Sequence, residues 1–168
     1  EMHFVLGTAW ELDSWMDVDA TMEKARNTQK YASEHIKTNW LKLFMDGTVE
    51  SGTGFVDPLY PGEKQGIPNW SEEELTVITR KANANGVTMH VHVMGNKGVE
   101  RVVNAFINGG KDEMRNTLIH VYGVKEEDYK HIAEHTIQGG PGLRWHPSAT
   151  DLQSPRLATH PHGLTDQC

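Results

Sequence analysis

"VTMHVHVMGN", residues 87–96, is the stretch on which the reading of the whole chain turns. Side chains alternate faces along a β-strand. Val87, Met89, Val91 and Val93 therefore make one purely apolar face, while Thr88, His90, His92 and Met94 share the other. The apolar face suits packing against helices. The opposite face carries two imidazoles two residues apart, and both are potential metal ligands. That division is expected of a strand in a parallel barrel, whose outer face meets helices and whose inner face lines a site.

The segments on either side repeat the pattern. Upstream, "SEEELTVITRKANANG" predicts a helix: Ser71 and Glu74 form a capping box, Leu75, Ile78 and Ala82 line one face, and Gly86 stops it. Before it, residues 47–70 form a long loop rich in Gly and Pro, of a length that is usually functional or disordered. "NWLKLFMDG" precedes that loop as a strand, with Leu41, Leu43 and Met45 on one face and Trp40, Lys42, Phe44 and Asp46 on the other. Residues 19–37 read as one helix through Met22, Ala25, Ala32 and Ile36.

Downstream, "NKGVERVVNAFINGG" is a helix closed by Gly109 and Gly110. "NTLIHVYG" is a strand with Leu118 and His120 facing one way and Thr117, Ile119 and Val121 the other. "KEEDYKHIAEH" is a helix that begins acidic, as the helix dipole prefers. "TIQGGPGLRWHP" begins as a strand and turns into loop. The order βαβαβαβ with short connections predicts an α/β fold built on a parallel sheet. Residues 1–148 read as one domain. Residues 149–168 lack periodicity and have little to bury, so they read as a disordered tail.

Composition narrows the function classes. The 168 residues fit one domain, and 37% hydrophobic content supports a lean core. A formal charge of −7 argues against nucleic acid or an anionic membrane surface as a partner. No apolar run approaches the roughly 18 residues of a membrane span, and the opening "EMHFVLGTAW" lacks the basic start of a signal peptide. The single cysteine, Cys168, leaves no internal disulfide and leaves the compartment open. Ten histidines point to metals.

Three successive strands thus offer Lys42, then His90 and His92, then His120, and parallel strands in register gather such positions at the C-terminal rim. A buried lysine must be paired, neutral or modified, because its desolvated charge is expensive. At this point the chain resembles a known family. "LKLFMDGTVESGTG", "MHVHVMGNKGVERVVNA" and "LIHVYGVKEEDYKHIAE" are similar to the YtcJ-like branch of the amidohydrolase superfamily, over residues 36–147. The resemblance implies a slice of a (β/α)8 TIM barrel, about strands four to seven with their helices. It implies a divalent metal, expected to be zinc, and a small-molecule substrate with an amide- or formamide-type C–N bond other than a peptide bond.

Carried onto this sequence, the strand-four lysine falls on Lys42, which the family commonly carboxylates to bridge two metals. The strand-five and strand-six ligands fall on His92 and His120. Asp46 and the turn at residues 47–53 would shape the substrate pocket, and His146 in "RWHP" is a further pocket candidate. Two departures stand out. The family's first-strand H-x-H pair and its eighth-strand aspartate have no counterpart here, so no catalytic residue is assigned. The family's H-x-x-G-D also reads H-x-x-G-N, with Asn96 replacing the acid.

Rival readings are weaker. "HIAEH", residues 131–135, matches the inverted zinc-protease pattern through His131, Glu134 and His135, yet offers no third ligand downstream. His160 and His162 fall in the tail. A function of another class is a non-catalytic truncated barrel module that self-associates or binds metal weakly. Self-association is expected in either case. Strand edges at residues 40–46 and 136–138 would be open, and a homodimer, with the apolar residues 2–16 at its interface, is the favoured arrangement. Folding of that segment over one edge is the alternative.

Overall fold

The computed structural model describes residues 6–57, 62 and 64–140. His146, the tail with His160 and His162, and the apolar Met2, Phe4 and Val5 lie outside the described residues.

The elements run β1 (Leu6–Glu11), α1 (Val18–Thr28), β2 (Ile36–Phe44), α2 (Glu72–Ala84), β3 (Thr88–Val93), α3 (Asn96–Gly109), β4 (Thr117–His120), α4 (Glu126–Glu134) and β5 (Gln138–Gly140). The strands form one sheet in the order β1-β2-β3-β4-β5, with every neighbouring pair parallel. Strands laid down in sequence order, with a helix after each of β1 to β4, are the wall of a (β/α)8-type barrel.

Alternation along the central strands sorts the core. Leu41, Leu43 and Met45 at β2, and Met89, Val91 and Val93 of β3, are fully buried on the face that meets the helices. Helix α2 contributes Leu75, Ile78 and Ala82, and α3 contributes Val99, Val102, Val103 and Phe106, at the spacing of an amphipathic stripe. Each of these Val, Leu, Ile, Met and Phe side chains gains about 1.5–3 kcal/mol on burial, so this one-sided core is what holds the inner face in place. The capping box of α2 is present as read. Ser71 Oγ accepts from the Glu74 N–H, and the Glu74 carboxylate accepts from the Ser71 N–H.

Three sequence expectations need correction. Residues 19–37 do not form one helix: α1 ends at Thr28 and a single 3-10 turn at Gln29–Tyr31 follows. The cause is local. The Thr28 hydroxyl bonds the carbonyls of Ala25 and Thr38, and the Thr38 hydroxyl bonds the Thr28 carbonyl, which ties the helix end to β2. Ile36, read as a helix-face residue, begins that strand.

The second correction concerns the sheet edge. Residues 40–46 are not an open edge, because β1 pairs along β2 through Ala9↔Trp40, Trp10↔Leu41 and Glu11↔Lys42. A strand therefore precedes the four that were read. Trp10 lies on the helix side, where its indole N–H donates to the Thr28 hydroxyl. The third correction concerns Leu118. It is fully buried among the helix-side residues and does not line the inner face.

Candidate metal centre

Register across the sheet builds the inner face row by row. Lys42 is level with His90 and Phe44 with His92 on β2 and β3, while His90 pairs with Thr117 and His92 with Ile119 on β4. His90 and His92 therefore occupy successive rows, with His90 the lower. By simple alternation His120 would follow Leu118 to the helix side. It does not. The backbone turns left-handed at His120 (φ 74°) and remains positive at Val121 (φ 21°), a conformation that costs a non-glycine residue of order 1–3 kcal/mol. That turn brings the His120 ring to 4.9 Å from the His92 ring, edge to face.

The neighbouring groups complete the array. Lys42 Nζ sits 4.5 Å from the centre of the Phe44 ring, and that ring lies 5.1 Å from the ring of His92. Burial pushes Lys42 down to about 8, against a smaller upward pull from Glu11. His90 lies edge-on to Trp40 at 5.1 Å, and burial, with Lys42 and His120 nearby, lowers it to about 4. His120 is lowered by burial and by His92 and Lys42. These imidazoles are thus held neutral, the state in which a ring nitrogen ligates a metal.

His92 is oriented by the rim above it. Its Nε2 lies 3.0 Å from the Gly47 carbonyl, which only accepts, so Nε2 carries a proton and Nδ1 is the nitrogen left to ligate. A ligating histidine typically gives its other ring N–H to a carbonyl or carboxylate in this way. Asp46 Oδ1 is 3.9 Å from the same nitrogen.

Asp46 itself is buried, 3% exposed, and both its oxygens are in use. Oδ1 accepts from the Met94 N–H at 2.9 Å, and Oδ2 accepts from the N–H groups of Gly95 at 2.8 Å and Phe55 at 2.9 Å. Burial nevertheless raises its pKa, with the three N–H donors and His92 opposing. The side chain shapes the rim by joining the ends of β2 and β3 to the loop. The Phe55 carbonyl in turn accepts from the Lys97 and Gly98 N–H groups at the start of α3. Gly95 is required here, since a Cβ at that position would lie 2.1 Å from the Phe55 oxygen.

Asn96, the departure from the acidic motif, grips Asp57 from both sides. Its Oδ1 accepts from the Asp57 N–H and its Nδ2 donates to the Asp57 carbonyl. An aspartate could make only the first of these bonds. Sequence reasoning missed this clamp. It also missed the buried pair Asn83 and Asn116, which exchange side-chain hydrogen bonds at 2.9 and 3.0 Å and hold the Lys111 and Met89 N–H groups beneath the sheet. Lone asparagines outside turns give no sequence signal for either role.

Among the described residues no three His, Cys, Asp or Glu side chains gather closely enough to hold a metal ion. The inner face supplies two imidazoles in contact and a lysine whose ammonium is not a ligand. The set fits a divalent cation if Lys42 carries a carbamate, which converts the cation into an anionic oxygen donor. His131 and His135 do not form a competing centre. Nδ1 of His131 is 3.9 Å from Glu134, whereas Nδ1 of His135 is 3.5 Å from Asp112.

Comparison with known proteins agrees with this architecture. The model of the amidohydrolase family matches residues 12–164. A curated relative, the exoenzymes regulatory protein AepA of Pectobacterium carotovorum subsp. carotovorum, is 32% identical over 78 residues, which are 46% of this chain and 17% of that protein. Two solved structures share the fold. An uncharacterized metal-dependent hydrolase from Pyrococcus furiosus superposes with a TM-score of 0.59 at 19% identity, covering 70% of this chain and 26% of that one. Another from Pyrococcus horikoshii OT3 gives 0.58 at 18%, covering 70% and 25%. The chain thus spans about a sixth of the curated relative and about a quarter of each structure. With the family match covering most of its length, the chain belongs to the amidohydrolase family.

Proposed function

We propose that this sheet carries part of the metal centre of a hydrolase acting on amide- or formamide-type C–N bonds of small molecules. Lys42, as a carbamate, with His92 and His120 would hold a divalent cation, zinc by preference for imidazole nitrogen and carboxylate-like oxygen. Such a cation supplies Lewis acidity for activating water and polarising a carbonyl. The chain's own residues do the positioning. His120 is turned into the site by its left-handed backbone, His92 is held by the Gly47 carbonyl, and Asp46 fixes the rim at the ends of β2 and β3 beside His92. His146 is a further proposed pocket residue.

The observation that carries this reading is the His92–His120 contact, because an unfavourable backbone conformation is maintained to make it. Cobalt(II) titration in bicarbonate buffer, read by visible absorption, tests it. We expect weak binding that His92→Ala and His120→Ala abolish and His90→Ala leaves in place. Binding unaffected by His120→Ala would refute the assignment. The described sheet also leaves β1 and β5 each paired on one side only, and unpaired edges template association. A homodimer remains part of the proposal.

A further inference from the structure

The turn that follows β2 is tied down by Thr53, a side chain with no part in the metal centre as assigned. Gly47, whose carbonyl faces His92 Nε2 at 3.0 Å, is gripped from its other side by this residue. The Gly47 N–H donates to the Thr53 carbonyl at 3.2 Å, and the Thr48 N–H donates to the Thr53 hydroxyl at 2.9 Å. A trans peptide is planar, and its C=O and N–H point in opposite directions. The Gly47 C=O and the Thr48 N–H lie in one such plane, so the hydroxyl that accepts from the N–H also aims the carbonyl. The approach is close: a Cβ at Gly47 would fall on the Thr53 hydroxyl. Thr53 is fixed in turn, because its N–H donates to the Thr48 carbonyl at 3.0 Å and its hydroxyl lies 2.6 Å from Ser51 Oγ.

We infer that Thr53 is a positioning residue for the metal centre: its hydroxyl orients the Gly47–Thr48 peptide so that the Gly47 carbonyl accepts from His92 Nε2–H and Nδ1 is left to ligate. The inference rests on the metal-centre reading and deepens it. Thr53 itself is exposed, so its bonds hold a surface turn and add nothing to the core. Their consequence falls on His92, which is buried at 6% exposure. Among the described residues the Gly47 carbonyl is the hydrogen-bond partner of that ring. Asp46 Oδ1, at 3.9 Å, is too far to replace it, and the Asp46 oxygens already accept from three backbone N–H groups. Freed from the Thr53 hydroxyl, the Gly47–Thr48 peptide can rotate, and the His92 ring loses the contact that fixes its proton and its orientation.

The experiment reads the His92 ring directly. Nitrogen-15 NMR of the metal-free chain, at mildly alkaline pH, should show a His92 Nε2–H proton shielded from exchange, identified by its absence in His92→Ala. Thr53→Val, which keeps the side-chain volume and removes the hydroxyl, should lose that signal to solvent while the amide spectrum of α2 and β3 and the urea midpoint stay at the parent's. Thr53→Ser, which restores the hydroxyl, should restore the signal. Gly47→Ala reaches the same hydroxyl from the other side and should match Thr53→Val. Cobalt(II) titration in bicarbonate buffer follows. Loss of a group that supports a ligand typically weakens metal affinity 10–100-fold, so Thr53→Val should weaken cobalt about tenfold or more and Thr53→Ser should bind as the parent does. If Thr53→Val keeps the Nε2–H signal and the cobalt affinity while His120→Ala abolishes binding, the inference is overturned and the metal centre stands. Loss of the signal in Thr53→Ser as well as Thr53→Val would also overturn it, since the hydroxyl would not be the cause. If the parent binds no cobalt, or His120→Ala binds as the parent does, the metal-centre reading fails and takes the role of Thr53 with it.

Discussion

Replacing Asp46 with alanine tests how the rim is held. Three backbone N–H groups, of Phe55, Met94 and Gly95, would lose their acceptor in a buried position. Each buried donor left unsatisfied costs about 1–3 kcal/mol, for a gross loss of about 6 kcal/mol if the three are taken near the middle of that range. Part is recovered. Burial raises the Asp46 pKa despite its donors, so the fold bears a desolvation cost for this carboxylate that the variant no longer carries. A net loss of about 3 kcal/mol remains, large for a single substitution and traceable to a named network. With a urea slope of about 2 kcal/mol/M, the unfolding midpoint should fall by about 1.5 M. Amide exchange should accelerate at Phe55, Met94 and Gly95 before it does in α2. Asp46→Asn should lie between, since one oxygen can keep the Phe55 and Gly95 donors while the amide opposes the Met94 N–H. A midpoint within about 0.3 M of the parent, with slow exchange preserved at those three amides, would refute the account of the rim.

Other expectations follow from single contacts. Gly95→Ala should cost about 2 kcal/mol or more in urea unfolding, because its Cβ meets the Phe55 carbonyl at 2.1 Å and backbone must shift. Asn96→Asp, which restores the family's acid, should lose about 1 kcal/mol, since it keeps the acceptor for the Asp57 N–H but loses the donor to its carbonyl. Asp128 is buried at 4% exposure, and its pKa is raised by burial and by Glu100. Ionising it therefore removes stability as pH rises from its unfolded value through its raised folded one, and the cost is absent below both. Asp128→Asn should be the more stable protein at pH 7, with the advantage vanishing at acid pH below the unfolded value; an advantage independent of pH would contradict the cause given. Light scattering should report a dimer or larger species, and a clean monomer at high concentration would count against association through the edges of β1 and β5 that no described strand pairs.

Much of this fold was legible because its signals are local. Ser71 and Glu74 announce the start of α2, and strict alternation from Val87 to Val93 gives both faces of β3 at once. What escaped was set by contacts between distant segments. β1 contains Gly7 and Ala9, weak strand formers, and is a strand because β2 offers it a partner. The end of α1 lacks Gly or Pro, and is fixed instead by Thr38 ten residues on. The site divides in the same way. His90 and His92 were readable from alternation, whereas the alternation that correctly pairs residues 117 and 119 would have sent His120 to the wrong face. Its place depends on a left-handed backbone that no residue type there announces. Asp46, adjacent to the glycine turn, reads as a rim residue, but its three donors come from segments 9, 48 and 49 residues away.

The most direct test of the central claim is anomalous diffraction from crystals of this chain grown in bicarbonate and soaked in zinc. The account predicts a zinc peak bounded by the Lys42, His92 and His120 side chains, with extra density on the Lys42 amine for a carbamate. A peak at His131 and His135 on α4, or none on the inner face of the sheet, would contradict it.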